Sequence, residues 1–119
     1  MQHTLIFYNS LDDFDARDDP RRRDAFWASF GAYLKAIKDA GNFIGGAGLQ
    51  PPGEATTLRH REGQRLVQDG PYADTKEQLG GFVIIEVPDM ASALEWAARY
   101  PAGLNGAVEV RANLTTRHD

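Results

Sequence analysis

Five of the six residues in Phe82-Val83-Ile84-Ile85-Glu86-Val87 are apolar, and the run is bounded by Gly80-Gly81 before it and Pro88-Asp89 after it. Successive side chains of a strand point to opposite sides of its sheet, so a strand this uniformly apolar needs cover on both faces. His3-Thr4-Leu5-Ile6-Phe7-Tyr8-Asn9 makes the same demand near the N-terminus. Whatever the chain folds into has to supply a central sheet with both of these strands inside it.

The helical patterns supply one cover. Asp19 is placed as an N-cap and Pro20 as the first helical residue. Phe26, Phe30, Tyr33, Leu34 and Ile37 recur at spacings of three and four, with Trp27 beside them, and Gly41 follows where a left-handed cap is needed. The pattern predicts a helix over residues 20–40. Residues 10–19 are polar and acid-rich and read as a solvated loop. A second helix opens at Pro88-Asp89, with Met90, Ala93, Leu94 and Ala97 as its inner stripe and Trp96 and Tyr100 flanking it, and stops at Pro101. Asn42–Leu49 reads as a short strand thinned by glycine, and Ala107–Arg111 as a half-exposed last strand. Residues 56–60 and 64–68 flank Glu62-Gly63 and read as a hairpin, because glycine supplies the positive φ of a tight turn. The tail from Thr115 is expected to fray.

Strand, helix, strand, hairpin, strand, helix, strand in 119 residues implies a single α+β domain over 1–119 with a mixed or antiparallel sheet and both helices on one face, the ferredoxin-like arrangement. One sheet face then lacks a helical cover. A second copy packed sheet against sheet is the simplest way to supply it, so a homodimer is expected.

Composition narrows the function classes. There is no cysteine, which excludes disulfides, thiolate catalysis and cysteine-based metal sites, and fits a reducing cytoplasm. A net charge of −4 disfavours a nucleic-acid binder, and the basic run Arg21–Arg23 is flanked by Asp18, Asp19 and Asp24. No signal peptide or membrane span is apparent. The three histidines, His3, His60 and His118, have no metal-ligand spacing, and no metal or organic cofactor is expected. Gly45-Gly46-Ala47-Gly48 lacks the spacing of a nucleotide loop, and there is no nucleophile elbow.

The candidate site is Asp69-Gly70-Pro71-Tyr72-Ala73-Asp74-Thr75-Lys76-Glu77-Gln78-Leu79-Gly80-Gly81, where a turn, a cluster of ionisable groups and a Gly-Gly pair meet. Asp69 is the candidate acid–base residue, with a turn carboxylate bonded to the N–H groups of Gly70 to Tyr72 as the bland alternative. Lys76 and Glu77 can orient a polar group or form a solvated ion pair. Tyr72 and Thr75 offer hydroxyls, and Arg59 is a candidate cation for developing negative charge. His60 falls toward the turn end of the hairpin, away from Asp69.

With Phe82 added, this stretch resembles the signature of the YCII-related family, in its DGPF-domain branch. The resemblance continues through Gly48-Leu49-Gln50-Pro51, Ala55-Thr56-Thr57-Leu58-Arg59, Ala93–Ala98 and Val108–Arg111. It implies a dimeric α+β barrel of ferredoxin-like subunits, soluble bacterial proteins, suggested enzymes among them, and for some members an association with extracytoplasmic-function sigma factors. It also implies a His–Asp pair as active site, with Asp69 at the aspartate position. The matching helix position, before Ala32-Tyr33-Leu34-Lys35, holds Phe30, and Tyr72 stands where the motif has Phe.

These readings lead to a cytoplasmic homodimer that binds a small aromatic or anionic molecule in a cleft at Asp69-Gly70-Pro71-Tyr72. Arg59, Gly70, Pro71, Tyr72, Thr75, Lys76 and Glu77 would contact it, and Asp69 would carry cofactor-free proton transfer of a lyase or isomerase type. The alternative is a non-catalytic dimer that binds a ligand or a protein partner, linked to sigma-factor regulation.

Overall fold

The computed structural model describes residues 1–101 and 106–115. Its elements in chain order are β1 (Gln2–Ser10), α1 (Leu11–Ala16), α2 (Arg23–Asp39), β2 (Phe43–Gly48), β3 (Thr56–Arg61), β4 (Gln64–Asp69), β5 (Glu77–Glu86), α3 (Met90–Ala98) and β6 (Ala107–Ala112). The main sheet has the order β2-β5-β1-β6 and every pair is antiparallel. This is the α+β, ferredoxin-like arrangement expected from the element order.

One face of the sheet carries the core. Leu5 and Phe7 of β1 and Val83, Ile85 and Val87 around β5 pack with Tyr33 and Ile37 of α2 and Ala93 of α3. Phe7 stacks on Tyr100 at 4.3 Å and meets Phe30 and Tyr33 edge-on. Tyr33 donates its O–H to the Trp96 carbonyl at 2.7 Å, which ties the two helices together. Burial drives the ionisation of both Tyr33 and Tyr100 above the ordinary phenol range.

The alternate residues of the same strands, Ile6, Tyr8, Phe82 and Ile84, are half-buried and do not belong to that core. Ile6 lies opposite Phe82 and Thr4 opposite Ile84. The helix-free face is therefore apolar at its centre.

Three local readings are corrected. Residues 11–16 form a helix rather than a loop, held by a capping box in which Ser10 accepts from the Asp13 N–H while Asp13 accepts from the Ser10 N–H. The long helix begins at Arg23, not Pro20. Asp19 instead caps a turn, its carboxylate taking the Arg21 N–H at 2.8 Å and the Arg22 guanidinium at 3.2 Å. The inner stripe of α3 is Ala93, Trp96 and Ala97, while Met90 and Leu94 are exposed, because the helix leans on β6 through its Trp96 side. Asp89 does cap α3, accepting the Ser92 N–H, and that bond holds its carboxyl below the usual range. Gly41 has the positive φ, 77°, expected of the cap. Of the tail, residues 116–119, His118 included, lie outside the described residues.

The hairpin forms as expected, with Glu62 and Gly63 both at positive φ in its two-residue turn. It makes its own two-stranded sheet, and nearly all of it is exposed, including Leu58, Leu66 and Val67. The chain's radius of gyration is 16.2 Å, against about 13.5 Å for a compact domain of this length. The projecting hairpin accounts for the excess. Among the described residues no helix is long and apolar enough to cross a membrane.

Candidate functional site

A cavity of about 520 Å³ lies at the end of the β1–β5 pair, on the side away from the helices. Tyr8 and Leu79, directly opposite each other in the register, form its base. One wall is the segment between β2 and β3: Leu49, Gln50, Pro51, Pro52, Glu54 and Ala55. The prolines and a single 3₁₀ turn at Pro52–Glu54 fix its path. The other wall is the loop entering β5, with Pro71, Tyr72, Ala73, Thr75, Glu77 and Gln78.

Gly70 joins the two walls. Its N–H donates to the Ala55 carbonyl at 2.6 Å and its carbonyl accepts from Thr57 Oγ1 at 2.7 Å. Its φ of 99° is one that a side chain makes costly. Gln78 fastens the loop from within, donating from Nε2 to the Ala73 carbonyl at 2.8 Å and the Thr75 carbonyl at 3.1 Å. Arg59 lies behind the Tyr72 ring, 5.7 Å from its centroid, and supports the wall from outside.

Of the residues singled out in the sequence, Pro71, Tyr72, Thr75 and Glu77 therefore line the cavity, and Gly70 and Arg59 support it. Lys76 is exposed and is not part of the lining. Asp69 is exposed at the end of β4, opposite Thr56 and outside the lining. The Gly70 N–H that an Asp69 turn carboxylate would have taken goes to Ala55 instead. His60 is exposed near the hairpin tip, opposite Arg65, and His3 is buried on the helix-covered face. Phe30 belongs to the aromatic cluster of the core, not to the cavity.

Gln78 and Leu79 lie within the candidate stretch but were given no role there, and Tyr8 and the Leu49–Ala55 wall lie outside it. The Gln50-Pro51-Pro52 turn was the available signal for that wall. The lining is mostly apolar. Its charged members are Glu54 and Glu77, and no Lys or Arg stands among them. Such a surface suits an apolar ring with hydroxyl groups, and opposes an anion. Among the described residues no group of three His, Cys, Asp or Glu gathers in a way that could hold a metal ion.

Comparison with known proteins gives matches of three kinds. The profile of the YCII-related domain matches residues 1–114. An uncharacterized protein of Rhizobium meliloti (strain 1021) is 46% identical over 66 residues, which are 56% of this chain. The match spans about half, 53%, of that relative's own length. Among solved structures, the 5-chloro-2-hydroxyhydroquinone dehydrochlorinase of Burkholderia phenoliruptrix AC1100, in complex with 2,5-dihydroxybenzoquinone, aligns with a TM-score of 0.55 and 20% identity. That alignment covers 98% of this chain and 96% of the other, and is a likeness of fold.

Proposed function

Since the chain belongs to the YCII-related family, we propose that it binds a small, flat, uncharged ring compound in the cavity between the 49–55 and 71–78 segments. The observation that carries this reading is the cavity itself, apolar, about 520 Å³, and bordered by carboxylates without a cation. The structural neighbour's ligand is likewise a flat, oxygenated six-membered ring. Tyr8 and Tyr72 offer ring faces and hydroxyls to such a ligand, and Glu54 and Glu77 can accept its O–H groups. A proton taken from ring carbon or oxygen by a carboxylate and returned elsewhere on the ring is the isomerase-type step these groups allow; the same proton removal with the bond to a ring substituent breaking, so that the substituent leaves with the electron pair, is the lyase-type step. Tyr hydroxyls, rather than Lys76 or Arg59, would donate to the oxyanion formed.

The position of Asp69, exposed and outside the lining, favours a second reading in which the protein binds a ligand or partner without turnover. Titration with hydroquinone, a flat ring that is uncharged at neutral pH, tests the binding. We expect saturable binding, weakened about tenfold by Tyr72→Ala, the loss of roughly one buried ring's contribution. No binding at millimolar probe sinks the proposal. For chemistry, hydroxylated and chlorinated hydroquinones are screened for turnover. Loss of kcat in Glu77→Gln or Asp69→Asn, with probe affinity kept, identifies the proton-transferring carboxylate. Absence of turnover on all of them leaves the non-catalytic reading.

The same reading includes a homodimer through the helix-free face. It is supported by Ile6, Phe82 and Ile84, half-buried and outside the core, and by the exposed Leu58 and Val67 of the hairpin. Light scattering on the wild type is expected to give twice the 13.1 kDa chain mass, and Phe82→Glu to give the monomer. A monomeric wild type at micromolar concentration overturns it.

A further inference from the structure

The cavity takes one wall and its base from distant parts of the chain, and one side chain from a third part holds both. We infer that Arg17 is a positioning residue that sets the separation of the 49–55 wall from the base at Leu79; the inference rests on the cavity being the binding site.

Arg17 follows α1 as its C-cap. Its guanidinium reaches under the end of the sheet, where Nη1 donates to the Leu49 carbonyl and Nη2 to the Gly80 carbonyl, the latter at 2.9 Å. Leu49 lines one wall, and Leu79, the neighbour of Gly80, forms the base beside Tyr8. The Leu49 N–H also donates to the Gly80 carbonyl at 2.9 Å, so one carbonyl is shared between the backbone of one wall and the Arg17 fork. A planar fork with two donors fixes two acceptors at once, which a lysine cannot do.

The same spot is the irregularity of the sheet. Gly81 lies opposite Phe7 and Leu79 opposite Tyr8, so Gly80 is the extra residue of a bulge in β5. The space a side chain would fill at Gly80 is taken by the buried Asn9 amide and by the Arg17 guanidinium. Asn9 Nδ2 in turn donates to the Tyr100 hydroxyl at 3.3 Å. The bulge turns Leu79 toward the cavity, and Arg17 and Asn9 hold it from behind.

Arg17 is held in place by contacts that do not neutralise it. Its guanidinium lies 4.7 Å from the Phe14 ring centroid and 5.9 Å from that of Trp27, whose Nε1 donates to the Arg17 carbonyl at 3.1 Å. Among the described residues it has no salt bridge, and Nε is buried without a partner. Burial lowers its pKa from the usual guanidinium value, against opposing pulls from Tyr100, Asp18 and Asp13. A half-buried cation without a carboxylate is a costly way to fill space, and two carbonyls it alone can clamp give it a purpose.

Arg17→Met keeps the stem and removes the donors. Amide hydrogen exchange is measured at Leu49 and residues 79–81, with Ile37 and Val83 as core references. We expect exchange at Leu49 and 79–81 to rise about tenfold or more with the core references unchanged, and the Kd for hydroquinone to rise with it. Arg17→Lys, which keeps the charge, is expected to restore little of either; it also carries the exchange measurement if Arg17→Met does not fold. Acceleration spread evenly over the core, or none at Leu49, overturns the inference. A wild type that fails to bind the probe refutes the binding reading, while the exchange pattern still decides the role of Arg17.

Discussion

Phe7→Ala is expected to remove about 3–5 kcal/mol of stability, the range for deleting a buried phenyl ring. The ring is 1% exposed and is enclosed by Tyr100 in parallel and by Phe30 and Tyr33 edge-on. These partners come from α2 and from the end of α3, so the vacancy opens where both helices meet the sheet. Aromatic neighbours held by their own hydrogen bonds, such as Tyr33 on the Trp96 carbonyl, cannot collapse into it. A small domain has about 5–15 kcal/mol in total, so much of the margin goes. Urea denaturation checks this through the midpoint at unchanged slope. Phe7→Leu, which refills most of the volume, should cost clearly less. A loss below about 1 kcal/mol for the alanine variant would mean that the cluster does not brace the core.

Gly81→Val is expected to cost about 1–3 kcal/mol by overpacking, and to act on the cavity as well. A Cβ at Gly81 would lie 2.7 Å from the Ala47 carbonyl oxygen and 3.2 Å from Gly48 Cα, so the obstacle is backbone and not a side chain that can swing away. β2 would have to move outward. Leu49, the next residue after β2, would take the cavity wall with it. The measurement is paired: denaturation midpoint, and affinity for hydroquinone. Gly45→Ala is the control, because nothing lies within 4 Å of its added Cβ. Equal behaviour of the two variants would remove the close approach of β2 and β5 as the reason for these glycines.

What the sequence made legible was what depends on periodicity and on local turn chemistry. Phe30, Tyr33, Leu34 and Ile37 of the stripe do face the core while Phe26 packs on Trp27 beside it, the Gly41 and Asp89 caps form, and Glu62-Gly63 makes the hairpin turn. α1 was missed because its acidic composition outweighed the Ser10-x-x-Asp13 box, although that signal was present. Asp19-Pro20 misled because a good N-cap pair can also close a turn ahead of a helix. β5 starts five residues before Phe82 because the bulge at Gly80 lets a polar, glycine-containing stretch continue the pairing. At the site, the 71–78 wall was readable as one unusual local stretch. Tyr8, Leu49 and Arg17 were not, since only the sheet register brings residues so far apart in sequence to one place.

The sheet order has a consequence for how this chain is made. β1 is synthesised before the other strands of its sheet and sits inside it, but its neighbours are β5, from Glu77–Glu86, and β6, from Ala107–Ala112. Until residues 77–86 are made, Leu5 and Phe7 have no strand to lie against. Only β3 and β4, a local hairpin, can pair in that interval. Both ladders of β1 close over most of the chain's length, so the slow step of folding is loop closure between its ends rather than helix formation. Until β5 emerges, the nascent chain presents a bare apolar strand, the kind of segment that holding chaperones bind.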